Sequence, residues 1–277
     1  MKRFRLSLLV STLLLFGLAQ GTSLFVAGQT LLVHGAEPLL LSGTAQEQQV
    51  FLQFLALFFG GTIALLMLLH VYKGMVLYRL LFLFVAFLGL LKLFLLIFPF
   101  FLSLAIASIF ILGFLLLPTV WAHDIVVIVA AIGIGPVFGL QFQWQFAAIL
   151  LLILSVYDIV AVYITRHMVS LAHELIRRQA SFALFIPDRF RNYHAMISQV
   201  QPGSGFMILG GGDVILPMIL SISLLRVNMG AALASIGGML VGITLNHFLI
   251  VTRHHPIPAL PLITIGALLG ALAVMGV

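Results

Sequence analysis

Between Leu80 and Leu117 the chain runs for 38 residues with a single charged side chain, Lys92. Such a stretch has no stable place in water. In lipid its backbone N–H and C=O groups must be satisfied within the segment, which a helix achieves. A helix needs about 20 largely apolar residues to cross the hydrocarbon core. Applied along the chain, that rule places nine spans, at roughly 6–28, 50–72, 76–97, 100–119, 124–141, 144–165, 203–225, 229–252 and 258–276. The long run is split at Pro99, because proline disfavours helical geometry in the residue before it. The fifth span reads as short and broken by Gly133, Gly135 and Pro136.

Composition agrees. The 277 residues are 63% hydrophobic and 7% charged, against about 25% charged in soluble domains. An ordinary water-soluble enzyme, a disordered tail and a nucleic-acid-binding domain are excluded. Cysteine is absent, which removes disulfides, thiolate metal sites and cysteine nucleophiles. The 13 Lys+Arg against 7 Asp+Glu read as topology, since basic residues collect on the cytoplasmic side. Lys2, Arg3 and Arg5 precede the first span and put the N-terminus in the cytoplasm. Nine spans then place Lys73, Arg166, Arg177, Arg178, Arg189, Arg191 and Arg253 inside, and only Arg226 outside. The expectation is an all-α, multi-pass protein of the cell membrane with about nine transmembrane helices, N-terminus cytoplasmic and C-terminus outside. It forms one domain over residues 1–277. Met1 to Ala19 also fits a secretory signal peptide, but the apolar run continues to Val26, which favours a retained first helix. The one substantial polar stretch, about 166–202, is expected to be a cytoplasmic loop between the sixth and seventh spans. Its start, Arg166 to Gln179, suits either a helix on the headgroups or plain loop.

Acids are scarce enough to place one by one. Glu37, Glu47, Glu174 and Asp188 fall in loops, and Asp124 at a span edge. Asp158 and Asp213 fall well inside the sixth and seventh spans. A carboxylate at membrane depth costs several kcal/mol and usually marks function. Asp158 lies roughly 10 Å, and Asp213 roughly 15 Å, from the same membrane face at 1.5 Å per residue. Antiparallel neighbouring spans therefore allow the two to meet. Two carboxyls sharing a site cannot both ionise easily. One then serves as base toward water and the other as acid toward a carbonyl or leaving amine. The pair alone suits a peptide hydrolase and a proton relay in a transporter equally.

The surroundings favour the hydrolase. Tyr157 adjoins Asp158 and is expected to line the site. Gly210, Gly211 and Gly212 precede Asp213, and a glycine run permits close helix approach or local unwinding. Pro258 and Pro261 interrupt regular helix at the ninth span, leaving a backbone edge that an extended peptide can join by strand addition.

Tyr157-Asp158, then Gly210-Gly211-Gly212-Asp213, then Pro258-Ala259-Leu260 resemble the motifs of the presenilin and signal peptide peptidase family of intramembrane aspartyl proteases, in that family's order and on its helices six, seven and nine. The resemblance implies that Asp158 and Asp213 are the catalytic dyad and that Pro258, Ala259 and Leu260 shape the site and help hold substrate. It also implies transmembrane proteins or peptides as substrates, met in the lipid bilayer. The charge-derived direction of the sixth span, and Pro261 after Leu260, are similar to the presenilin branch. Two departures stand out. Gly211 occupies a position where the family often has Leu, and the 166–202 loop is short. The chain thus resembles a compact microbial homologue that needs no obligatory partner subunit and no cofactor or metal.

Other polar residues have plainer readings. Arg79 and Lys92 suit structural pairing or snorkelling to the headgroups. Asn246 and His247 suit hydrogen bonds across helices, Tyr163 suits packing, and Arg253, His254 and His255 suit a polar loop. His173 and Glu174 are adjacent and share no helix face, which argues against a metal site. The alternatives to an intramembrane protease are a prepilin-type leader peptidase, which shares the Gly-x-Gly-Asp motif, and a proton-coupled transporter.

Overall fold

The structure is a computed structural model, and it describes residues 6–34, 75–164, 182–200, 205–253 and 257–276, with scattered helical positions between 49 and 67. Eight helices are described in full: α1 (Leu6–His34), α2 (Met75–Leu95), α3 (Phe100–Leu116), α4 (Val120–Gly139), α5 (Trp144–Ile159), α6 (Gly211–Leu224), α7 (Met229–Arg253) and α8 (Leu260–Met275). Between α5 and α6 lies an antiparallel pair, β1 (Ala183–Pro187) and β2 (Phe206–Gly210). Most of the expected second span, the possible surface helix at Arg166 to Gln179, and Glu37, Glu47, Glu174, His173, His254 and His255 lie outside the described residues.

Five of these helices are long and apolar enough to cross a membrane, and α3, α6 and α8 are shorter apolar helices. Their outward faces carry large apolar side chains such as Phe25, Phe84, Phe101, Leu116 and Leu269. A protein interior cannot absorb that surface, and lipid can. The chain is a multi-pass membrane protein.

The split at Pro99 appears as expected. α2 stops at Leu95, and Pro99 takes extended geometry (φ −64°, ψ 158°) as the N-cap of α3. The break expected in the fifth span does not occur. α4 runs unbroken through Gly133, Gly135 and Pro136 to Gly139. These glycines serve contact rather than unwinding. A Cβ on Gly133 would collide with the Gly89 carbonyl of α2, and one on Gly135 with the Met218 side chain of α6. The N–H that Pro136 lacks costs one bond close to the helix end, where the helix survives it.

The chain is mostly helical, as expected, but the boundary of the seventh span needs correction. The stretch 203–225, read as a single span, divides into strand β2 and helix α6, which begins only at Gly211. Phe206-Met207-Ile208-Leu209 suits a strand as well as a helix by apolar content. Pairing with Ala183 to Pro187, from a stretch read as loop, decides between them. β1 is buried along its whole length against α4 and α1. The connection between the strands carries two short 3-10 turns. It is tied to the start of α4 by Val120 N–H to Ala195 C=O (3.0 Å) and Ile197 N–H to Pro118 C=O (3.0 Å).

α8 packs most extensively on α7, and also on α5 and α6. Small residues make that approach close: a Cβ on Gly238 would strike the Gly266 carbonyl, and one on Gly270 the Ala234 carbonyl. α1 packs against α4, α6 and α7. Its buried Gln20 donates from Nε2 to the Val214 carbonyl at 2.8 Å.

Candidate active site

Asp158 stands one residue before the end of α5, where the helix widens into a π-helical turn, Val160–Ile164. Such turns re-aim side chains and recur at functional sites. Asp158 is buried, and its Oδ2 accepts the Leu260 N–H at 3.3 Å. That N–H belongs to the first turn of α8, where no helical acceptor exists for it. The prolines at 258 and 261 keep the chain from winding into helix earlier. Pro258, Ala259 and Leu260 thus deliver a backbone donor to a carboxylate. This corrects the expectation of an unpaired edge there, since the Leu260 N–H is already taken.

Asp213 is the third residue of α6, and Gly210 is its N-cap (φ −60°, ψ 139°). The Gly210 N–H donates to the Asp213 carboxyl. This is one half of a capping box, with the side chain at N3 reaching back to the N-cap amide. It places a carboxylate where the helix N-terminus attracts negative charge. The Gly-x-Gly-Asp motif therefore reads physically as a strand-to-helix junction, and Asp213 lies near the start of its helix rather than ten residues into a span. Asp158 and Asp213 approach closely enough for the charge of one to act on the other.

The glycines differ in their surroundings. A Cβ on Gly210 would sit 3.1 Å from Asp213 Oδ2, and one on Gly211 would strike the Phe182 carbonyl. At Gly212 a Cβ would meet only Leu216 Cδ1, at 3.8 Å. Gly211 also donates its N–H to the Phe182 carbonyl at 2.6 Å, closing the end of the hairpin. A side chain at 211, where the family often has Leu, would have to displace that carbonyl.

One turn from the carboxylates, the Ser155 and Thr264 hydroxyls of α5 and α8 lie 2.7 Å apart. Ser155 and Thr264 were not singled out in the sequence. The signal was there, since Ser155 precedes Asp158 by three residues and shares its helix face.

Tyr157, expected to line the site, is 53% exposed, and Tyr163 is also exposed. Lys92 is exposed in the last turn of α2, a favourable place for a cation. Asn246 and His247 are buried on α7, and Asn246 Oδ1 has no hydrogen-bond partner among the described residues. Asp124, expected at a span edge, is 3% exposed because β1 folds across the start of α4 and covers it. Burial, and then the nearby charge of Asp124, push the Tyr193 phenol above its usual range.

An apolar helical bundle with a carboxylate pair, each member held by a backbone N–H, is the equipment of an aspartic endopeptidase working in a membrane. A family profile described as "Signal-peptide peptidase, presenilin aspartyl protease" matches residues 44–276. The chain belongs to that family and is an aspartic endopeptidase of the intramembrane-cleaving class. Two solved structures share its fold. One is described as "Structure of a presenilin family intramembrane aspartate protease in C222 space group". It is 22% identical, with a TM-score of 0.67, covering 97% of this chain and 98% of its own. The other, in space group P2, is 22% identical with a TM-score of 0.62, covering 94% and 96%. No curated protein matches the chain. Membership accounts for the three motifs together, which the transporter and prepilin-peptidase alternatives do not.

Proposed function

We propose that Asp158 and Asp213 form the catalytic dyad, and that the protein cuts peptide bonds within or near single transmembrane helices of other membrane proteins. The observation carrying this reading is the mutual approach of two carboxyls, each fixed by a backbone N–H, from Leu260 and from Gly210. A water between them is deprotonated by one carboxylate and attacks the scissile carbonyl. The other carboxyl gives its proton to the carbonyl oxygen; as the resulting gem-diol collapses, the first carboxyl passes the proton it took from water to the leaving amine and the second recovers a hydroxyl proton. The pair titrates as a unit, so the shared proton belongs to both.

The substrate joins β2. Phe185 N–H bonds to Asp124, and Gly211 N–H to Phe182 C=O, so the even-numbered β1 residues face β2 in the ladder. Phe206 and Ile208 on β2 consequently turn their peptide groups away from β1. An unwound substrate adds there as a third strand, one residue from the Gly210–Asp213 junction. The strand-addition edge thus moves from the proline segment to β2.

The same reading takes the chain as one catalytic domain, 1–277, with nine spans and a retained first helix, cytoplasmic N-terminus and outer C-terminus in the cell membrane. It works without a partner subunit. Purified protein in liposomes with a single-span reporter tests the dyad. Asp158→Asn and Asp213→Ala should each abolish cleavage with thermal unfolding retained, and full activity in either overturns the reading.

A further inference from the structure

Among the acids of the described residues, one is deeply buried yet lies outside the dyad. Asp124, on α4, accepts the Phe185 N–H at Oδ1 (2.9 Å), and His123 Nδ1 stands 3.5 Å from the same oxygen. Its Oδ2 is buried with no hydrogen-bond partner among the described residues. The surroundings are aromatic: the His123 ring stacks on Phe82 at 5.5 Å and lies 4.8 Å from Phe185. A carboxyl is expensive in such a place, and a stable core is more cheaply built from apolar side chains.

The shorter of its two contacts, to Phe185, tells what it does. Phe185 sits at a non-hydrogen-bonded position of the hairpin, so its N–H points away from β2 into the bundle. Phe185 is 0% exposed, so without Asp124 that donor is buried and unmet. Asp124 closes the inner edge of the hairpin and leaves the outer edge, on β2, open. A line of bonds then runs from Asp124 through Phe185 and the ladder to Gly210, whose N–H holds the Asp213 carboxyl.

We propose that Asp124 is a positioning residue for peptide-bond hydrolysis: it fixes the hairpin, and through it both the β2 edge that takes substrate and the amide that holds Asp213. The proposal rests on the dyad and strand-addition reading above.

The test uses the full chain in liposomes, a single-span reporter, product masses, and binding of an aspartyl-protease transition-state analogue. Asp124→Ala removes the acceptor. Its kcat/KM should fall by about tenfold or more, the scale of losing a hydrogen bond to a charged group. KM should carry most of the loss, and the cleavage position should spread to neighbouring bonds as the hairpin shifts. Asp124→Asn keeps a carbonyl oxygen toward Phe185 and should recover most of the loss and restore one main product. Asp124→Ala with wild-type kinetics and a single product overturns the proposal. So does Asp124→Asn as impaired as Asp124→Ala, and that variant carries the test alone if the alanine variant does not fold. Asp158→Asn in parallel separates the two readings. If it stays active the dyad fails, whereas a silent Asp158→Asn beside an unaffected Asp124→Ala removes only the role of Asp124.

Discussion

The Leu260 N–H donates to Asp158 Oδ2 across a sequence separation of 102 residues, and a turn away on the same two helices Thr264 meets Ser155 at 2.7 Å. Ser155 has one hydroxyl proton, and Oγ lies 2.7 Å from the Leu151 carbonyl, to which it donates. Thr264 therefore donates to Ser155. The two bonds form a short clamp between α5 and α8. Ser155→Ala and Thr264→Val should each lower kcat, and the double variant should be little worse than the poorer single. A double-mutant cycle on thermal unfolding in detergent should give a coupling of about 0.6–1.7 kcal/mol, the range for hydrogen bonds between membrane helices. Full additivity refutes the clamp.

The three glycines before Asp213 should not respond alike to alanine. Gly210→Ala crowds the Asp213 carboxyl, and Gly211→Ala meets the Phe182 carbonyl, a backbone atom that cannot swing aside. Gly212→Ala meets only the end of a leucine side chain. Reporter cleavage should fall at least about tenfold for the first two, in line with overpacking costs of about 1–3 kcal/mol, and least for Gly212→Ala. Equal losses at all three positions argue against a steric cause.

Proline separates the two edges of β2. Met207 lies in the ladder opposite Ile186, whereas Ile208 turns its N–H outward. Proline is tolerated where a strand's N–H faces away from its partner. Ile208→Pro should keep the thermal transition near wild type and raise KM for the reporter. Met207→Pro should lower the transition itself. A wild-type KM in Ile208→Pro removes strand addition at this edge.

Gly266→Ala inserts a methyl against the Gly238 carbonyl and forces α8 away from α7. Since α8 brings Leu260 to Asp158, the variant should lose about 1–3 kcal/mol of stability and show reduced kcat together. Differential scanning fluorimetry beside reporter kinetics reads both. A stable variant with unchanged kcat means that α8 does not set the Asp158 geometry.

Much of the candidate site was legible before the fold. Asp158 and Asp213 stood out because a carboxylate in an apolar span has few plain explanations. Pro99 marked the end of a helix because its ring fixes the chain locally. Asp124 does lie near the edge of its span, but its burial was not legible, because it depends on a strand some sixty residues away, and no local pattern near α4 announces that cover.

Local solvation and local geometry alone fix a membrane-embedded helical chain, its apolar segments, and two acids too costly to be incidental. Pairing, by contrast, is settled by the fold. An apolar pentapeptide such as Phe206–Gly210 is equally content in helix or strand, and it becomes a strand because Ala183–Pro187 lies beside it. That pairing starts α6 at Gly211, sets Asp213 at the helix N-terminus and buries Asp124. Each outcome depends on a hydrogen-bond partner distant in sequence, and a partner supplied by the fold leaves no mark on the residues that await it.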